Sequence, residues 1–358
     1  NYILKYLLKV IFIFFCFSVS IGQIPSYYQS VNLNLNGDQL KNELSTLISS
    51  THQNLIEYTS SSSIDTWDIV KSSDVFALDT SKVMLVYGYD DNDATVENDR
   101  TRAKSLSCHT SSCFGLWNRE HVFPKSLASP NLVTNFPSAG TDVHNLRACD
   151  YSTNASRSNK KYDAGNGNSS SNNQGNWYPG DEWKGDVARI IMYMYLRYPN
   201  QCEPTNVGIG TQLFSPNGDM PDVFLNWNFS DPVSEFEETR NNAIANVQGN
   251  RNPFIDNPYL ATLIWNGPAA EDKWASANST KDYENENFVL KINPFNNEII
   301  IENLDLTNLL SLELINMKGQ IIKFARNNFV STPDLTSGIY ILKITTKHGS
   351  YLRKINLN

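Results

Sequence analysis

Along residues 38–58, apolar side chains recur at Leu40, Leu44, Leu47 and Ile48 with polar positions between them. That spacing lays one buried stripe along an amphipathic helix, with Asn36 or Asp38 as its start signal. Residues 83–89 (VMLVYGY) form a β-branched and aromatic run that stops at the acidic turn Asp90-Asp91-Asn92-Asp93, which predicts a strand entering a loop. Residues 185–198 are apolar on nearly every side apart from Asp186, Arg189 and Arg197, the pattern of a helix in the middle of a domain. Its charges must be paired if buried, so a structural ion pair is expected of Asp186 and Arg189. Residues 235–247 are another helix candidate. The Gly, Asn and Pro of residues 247–258 stop it in a loop expected only to pack.

Residues 117–163 open with WNREHVFPKS, pass through a loop rich in Asn, Pro, Ser and Gly (129–140), and continue as TDVHNLRACDYSTNASRSNKKYD. Val143, Leu146 and Ala148 suit a strand, and residues 151–161, opened by Asp150 or Ser152, suit a short polar helix, giving the order strand, loop, strand, helix. Residues 164–176, mostly Asn, Ser and Gly, read as a flexible loop or insertion. From Phe288 the texture changes to short alternating runs (FVLKI, EIIIENL, SLELINM, QIIKF, GIYILKITT, YLRKINL) set apart by Asn, Gly, Pro and Asp, the signature of a small antiparallel β-sandwich. A domain boundary is therefore expected near Asn285.

The chain has 358 residues, 40% of them hydrophobic, with 17 Tyr, 17 Phe and 7 Trp, which is enough to fill a core and excludes a wholly disordered chain. A formal net charge of −8 speaks against a broad basic surface, so any polyanion must be gripped by a local cluster of cations. At the start, Lys5 and Lys9 precede or interrupt an apolar stretch (6–19), and the small residues Ser20 and Gly22 stand before a cut ahead of Gln23, as in a secretory signal peptide. The competing membrane anchor would need ~20 apolar residues, more than the uninterrupted run 10–19 provides. No stable membrane insertion is expected of the mature chain. Once Cys16 leaves with the signal, Cys108, Cys113, Cys149 and Cys202 form an even set in an exported chain, where disulfides persist. Three pairings are open; Cys108 with Cys113 and Cys149 with Cys202 is preferred by proximity, and zinc lacks a CxxC pair or clustered histidines to support it.

The chemistry concentrates at Glu120, His121 and Asn154. Phosphodiester hydrolysis needs a proton taken from water, whose unassisted pKa is ~15.7, and charge offset on the phosphate. A neutral histidine, with an ordinary pKa of ~6.5, can accept that proton. A hard ion prefers carboxylate and amide oxygens and keeps several waters. Adjacent strand residues point to opposite faces, so the first strand is expected to end or distort at Glu120-His121, with Pro124 close behind. His144-Asn145, expected within the second strand, is read as a brace through hydrogen bonds, and His109 as an exposed loop histidine. Arg147, Arg157, Lys160 and Lys161 face only Asp150 in their stretch and, with Lys125, are either phosphate contacts or a solvated face.

The motifs NREHVFPKS, DVHNLRACD, STNASRSNKKYD, KGDVARIIMYMYLRY and RNNAIANVQGNRNPFID, in this order, resemble the endonuclease I family of exported bacterial nucleases, in the His-Me finger (ββα-metal) superfamily. The resemblance implies an α+β fold with a ββα-metal core surrounded by helices. It further implies His121 as general base and Glu120 with Asn154 holding Mg²⁺ or another divalent ion such as Ca²⁺ or Mn²⁺. Such enzymes cut DNA, and often RNA, with little sequence preference and leave 5′-phosphate ends; the preference between DNA and RNA stays open. Some members steady the phosphate with an arginine in the loop between the strands; none stands there in this chain, so that role is either absent or taken by Arg147 or Arg157. NPFNNEIII, LTSGIYILKI and GSYLRKINLN resemble a type A sorting domain of the type IX secretion system, whose machinery would be a partner in sending the chain outside the cell or to its surface. The expected organisation is a signal peptide at 1–22, a catalytic domain at 23–275, a linker at 276–287 and the sorting domain at 288–358, acting as a monomer. Two rivals remain: a secreted binding or adhesion module without turnover, and a metallopeptidase, for which no HExxH or nucleophile elbow is present.

Overall fold

Helix α1 (Gly37–Thr51) starts directly after the extended residue Asn36, and its buried face is the stripe Leu40, Leu44, Leu47 and Ile48. The helix stops well before Tyr58, because the chain turns at His52 and the Gln53 amide donates to the Thr51 carbonyl at 2.9 Å. The computed structural model describes residues 24–110, 112–274, 289–293, 298–303, 306, 308–316, 320–346 and 349–357. The expected signal peptide and linker lie outside them. Contacts divide the chain into a unit Ile24–Trp274 and a C-terminal unit within residues 275–358.

In the first unit, helix α2 (Thr66–Ser73) has a reciprocal cap between Asp65 and Asp68 and buries Trp67, Ile69 and Val70. Strand β1 (Lys82–Met84) pairs antiparallel with β2 (Thr101–Ala103). The strand expected over 83–89 is cut short, since Tyr87 adopts φ 74° and turns the chain. Strands β3 (Trp117–His121) and β4 (Leu146–Asp150) pair antiparallel, with Glu120 opposite Arg147 and His121 opposite Leu146. Helix α3 (Tyr151–Arg157) follows at once, capped by Asp150, whose side chain accepts from the Thr153 amide. It ends before residue 161 because Ser158 takes φ 53°. His144 and Asn145 do not belong to β4; they form a short 3-10 turn with Val143, because Asp142 accepts the His144 amide and starts a turn there.

The Asn/Ser/Gly stretch after α3 contains strand β5 (Ser170–Ser171), which pairs with β6 (Trp177–Tyr178), so it is a hairpin rather than a bare loop. Helices α4 (Lys184–Arg197), α5 (Asp222–Ser230), α6 (Glu235–Gln248), α7 (Pro253–Asp256) and α8 (Tyr259–Trp265) complete the unit. α6 stops where Gly249 adopts φ 99°, a left-handed end that glycine takes without strain.

One apolar cluster gathers α1, α4, α5 and α8. A second packs Trp117, Leu146 and Ala148 of the β3–β4 ribbon against Trp67, Ile69 and Val70 of α2 and Ile244 of α6. Buried ion pairs tie these layers together. Asp74, after α2, holds Arg147 at 3.1 Å and Arg240 of α6 at 2.9 Å; Arg147 also holds Asp186 of α4 at 2.9 Å, and Arg189 of α4 holds Glu237 of α6 at 2.7 Å. Asp186 and Arg189 are therefore structural pairs, although not with each other.

Cys108 and Cys113 form a disulfide with Cα atoms 5.5 Å apart, whereas Cys149 and Cys202 are free and buried, which corrects the second expected bridge. Cys149 lies in β4 with its Sγ on the Val86 carbonyl at 3.5 Å, and Cys202 follows α4.

The C-terminal unit holds β7 (Val289–Asn293), β8 (Glu298–Glu302), β9 (Leu309–Ile315), β10 (Ile321–Ala325), β11 (Phe329–Ser331), β12 (Gly338–Thr346) and β13 (Gly349–Leu357). They form one sheet in the order β10-β9-β12-β13 and another in the order β11-β8-β7, all neighbours antiparallel. Ile299, Ile301 and Val330 of one sheet share a core with Leu312, Leu314, Leu342, Ile344 and Ile355 of the other. The alternation along each strand produces this directly, because every second side chain faces the same side. The whole chain is thus α+β, a mixed helical unit with small antiparallel ribbons followed by an all-β unit.

Candidate active site

β3 ends at His121 with its register intact, so the difficulty of two adjacent residues serving one site is met at a strand end, without a bulge. Asn118 and Glu120 face α3, where they meet Asn154 and Arg157; Arg119 and His121 face the other way and share the ring of Tyr58. A cleft of about 360 Å³ opens where the two faces meet. Arg119, Glu120, His121, Lys125, Asn154 and Arg157 are among its lining residues.

His121 is held by its surroundings. Its Nε2 lies 2.8 Å from the Gly140 carbonyl. A carbonyl only accepts, so Nε2 carries the hydrogen and Nδ1 keeps the lone pair. The Tyr58 ring stacks beside the imidazole at 5.6 Å, and the Arg119 guanidinium lies over the same Tyr58 ring, 3.5 Å from its centre, and 4.0 Å from the centre of the Trp67 ring. Burial pushes the His121 pKa down to about 3, with the Gly140 carbonyl opposing the shift. The imidazole is therefore neutral throughout the ordinary pH range.

Glu120 is 2% exposed, and burial raises its carboxyl to about 7 although the Arg157 guanidinium and the Tyr87 hydroxyl pull the other way. Tyr87 donates to Oε1 at 3.0 Å, and Arg157 approaches the same oxygen at 3.3 Å. Arg157 is itself buried, donating to the Val122 carbonyl at 2.9 Å and the Ser158 carbonyl at 3.1 Å, with Tyr162 under its guanidinium. About one turn earlier on α3, Asn154 donates from Nδ2 to Asn118 Oδ1 at 2.7 Å.

This donor set suits a hard cation: one buried carboxylate, with one oxygen facing Arg157 and Tyr87, and one amide oxygen, both lining the cleft. Among the described residues no group of three His, Cys, Asp or Glu could enclose a metal. An ion here would keep much of its shell as water, as Mg²⁺ does.

The structure does not bring every expected residue to the cleft. Arg147 is fully buried between Asp74 and Asp186, over the rings of Trp183 and Phe236, and its position offers nothing to a phosphate. Lys160 turns to the Ser156 carbonyl and Ser171, and Lys161 points toward the Thr205 carbonyl at 3.4 Å, both away from the lining. Lys125 is at the rim and exposed. His144 and Asn145 brace: His144 Nε2 meets the Asn250 carbonyl at 3.2 Å, while Asn145 accepts the Phe123 amide at 2.7 Å and donates to its carbonyl at 3.2 Å. His109 is exposed, on Ser107 and the Trp67 ring. Asn118, Arg119, Tyr58 and Tyr87 were not singled out from the sequence. The period of two in WNREH assigns Asn118 and Arg119 to their faces; Tyr58 and Tyr87 arrive by long-range packing that no local pattern marks.

The model of the family described as Endonuclease I matches residues 36–259, and that of the secretion system C-terminal sorting domain matches residues 293–358. The extracellular ribonuclease of Bacillus subtilis (strain 168) is 33% identical over 252 residues, covering 67% of this chain and 78% of that protein. The extracellular ribonuclease of Bacillus amyloliquefaciens is 35% identical over 234 residues, covering 61% and 73%. The C-terminal match marks the chain as exported cargo of the type IX secretion machinery, and among the described residues no helix is long and apolar enough to cross a membrane. With the match spanning α1 to the start of α8 and including the whole cleft, the chain belongs to the endonuclease I family, a nuclease whose substrate is nucleic acid.

Proposed function

We propose that this nuclease is a divalent-metal-dependent endonuclease that hydrolyses phosphodiester bonds of DNA or RNA with little sequence preference and leaves 5′-phosphate ends. The observation that carries this reading is the meeting of His121, Glu120 and Asn154 in one cleft. β3, β4 and α3 are read as a ββα-metal core acting within one copy of the chain, and residues 23–275 as the catalytic domain. Glu120 and Asn154 would hold Mg²⁺, or Ca²⁺ or Mn²⁺, which when bound supplies offsetting charge for the phosphate and the leaving 3′ oxygen. His121 takes a proton from water at Nδ1, while the Gly140 carbonyl on Nε2 fixes the ring and stabilises the positive charge that the ring gains. Arg157 holds Glu120 and the β3 end in place from beneath. Lys125, at the rim, is the exposed cation able to meet a phosphate. RNA belongs among the substrates because both relatives are named ribonucleases.

The test is degradation of plasmid DNA and of RNA with and without EDTA. Cleavage that stops on chelation and returns with Mg²⁺ is expected for both. Cleavage surviving chelation would contradict the ion's role, and none with any ion would favour a binding module.

A further inference from the structure

Each of the two proposed cation ligands has two polar atoms, and partners within the protein decide which of them is left for a cation. For Asn154 the useful atom is Oδ1, and the amide could equally turn Nδ2 toward the ion, with a penalty of like polarity. Asn118 decides the matter: its Oδ1 accepts from Asn154 Nδ2 at 2.7 Å, which commits the nitrogen end and leaves the oxygen end for the cleft. Asn118 reaches this place because it lies two residues before Glu120 on the same face of β3, opposite Cys149.

Glu120 is arranged in the same manner. Both of its polar contacts among the described residues fall on Oε1, from the Tyr87 hydroxyl and from Arg157, so Oε2 is left for the cleft. Tyr87 is 1% exposed and sits in the left-handed region at φ 74°, an uncommon conformation for an aromatic residue, and one that persists only when the surroundings impose it. The surroundings here do so. Ser169 Oγ donates to the Tyr87 carbonyl at 2.7 Å, the Trp183 indole donates to the Gly88 carbonyl at 2.8 Å, and Gly88 lies so close to the Asp99 carbonyl that a Cβ would collide with it. The Tyr162 hydroxyl, whose hydrogen goes to the Val122 carbonyl at 2.9 Å, stands 2.8 Å from that of Tyr87 in the same buried cluster.

We infer that Asn118 and Tyr87 are positioning residues of the cation site, each occupying one atom of a ligand group so that the other, Asn154 Oδ1 or Glu120 Oε2, faces the ion. This rests on the reading of Glu120 and Asn154 as the ligands. Partners of this kind govern affinity, and their loss typically weakens metal binding 10–100-fold.

The experiment is calorimetric titration of Mg²⁺ and Mn²⁺ into the full protein without nucleic acid, alongside thermal melting of each ion-free variant. Asn118→Ala and Tyr87→Phe are each expected to weaken binding by about tenfold or more. Asn118→Asp keeps an acceptor for Asn154 Nδ2 and is expected to bind at least as tightly as the wild type. Tyr162→Phe, which removes a hydroxyl from the same buried cluster without touching Glu120, is expected to stay within about threefold. Wild-type affinity in Asn118→Ala overturns the assignment of Asn118, as does a loss in Asn118→Asp equal to that in Asn118→Ala. An equal loss in Tyr87→Phe and Tyr162→Phe overturns that of Tyr87. Should Glu120→Gln and Asn154→Ala bind as the wild type does, or the wild type bind neither ion, the ligand reading itself falls. That outcome is distinct from loss in those two variants with none in Asn118→Ala.

Discussion

With Nε2 committed to the Gly140 carbonyl, His121 has a single nitrogen left for water, and its low pKa keeps that nitrogen unprotonated. His121→Ala is expected to lower kcat by roughly 10²–10⁴-fold, the usual contribution of a positioned base. Mg²⁺ binding by calorimetry should change little, because the proposed ligands are untouched; a wild-type kcat would remove the assignment. His144 makes a different use of burial. It is fully enclosed beside Tyr193, and burial pushes it down to about 4 although Asp142 stands close by and opposes the shift. Unfolded, it titrates near ~6.5. Between these values the unfolded chain holds the proton and the folded chain does not, so stability is complete above pH ~6.5 and is lost as pH falls toward 4. His144 accounts for roughly 3 kcal/mol of that loss. His121 adds a loss of the same sign, and Asp142, itself held below the ordinary carboxylate value, adds one at still lower pH. His144→Gln, which can still donate to the Asn250 carbonyl, should flatten the dependence of the urea midpoint on pH between 6.5 and 4; an unchanged slope would refute it.

At the scale of elements, α2, β4, α4 and α6 meet through Asp74, Arg147, Arg240 and Asp186. Removing Asp74 would leave two buried guanidinium groups short of their partner, so Asp74→Ala is expected to cost about 3–5 kcal/mol in denaturant unfolding. A loss under 1 kcal/mol would show that water or a shifted carboxylate replaces it. The sequence announces the elements that bury a regular stripe: α1 through its four apolar residues, α4 through its near-continuous apolar faces, α6 through its stop at Gly249, and the sandwich through alternation. It conceals the short ones. α2, α7 and α8 carry too few turns for a period to show, and the run 83–89 does not continue as a strand past Met84, Tyr87 turning under tertiary constraint. The strand, loop, strand, helix order was legible in residues 117–157, but Arg147 was misread. A charged residue in a short β-run looks the same whether it faces solvent or a buried Asp, and Asp74 lies far away in sequence.

For the molecule as a whole, a net charge of −8 places the electrostatic work of holding nucleic acid on a few cations around the cleft. Lys125 is the exposed one among the lining residues, and Lys125→Ala is expected to reduce the slope of log(kcat/KM) against log salt by about one unit. Equal slopes would place the phosphate path elsewhere. Among the described residues two cysteines are unpaired, Cys149 on the ribbon and Cys202 after α4, and both are sealed from solvent. A reagent that alkylates thiols can therefore reach them only when the enclosing layers part, so the rate of labelling is a built-in clock for how often this exported enzyme breathes open.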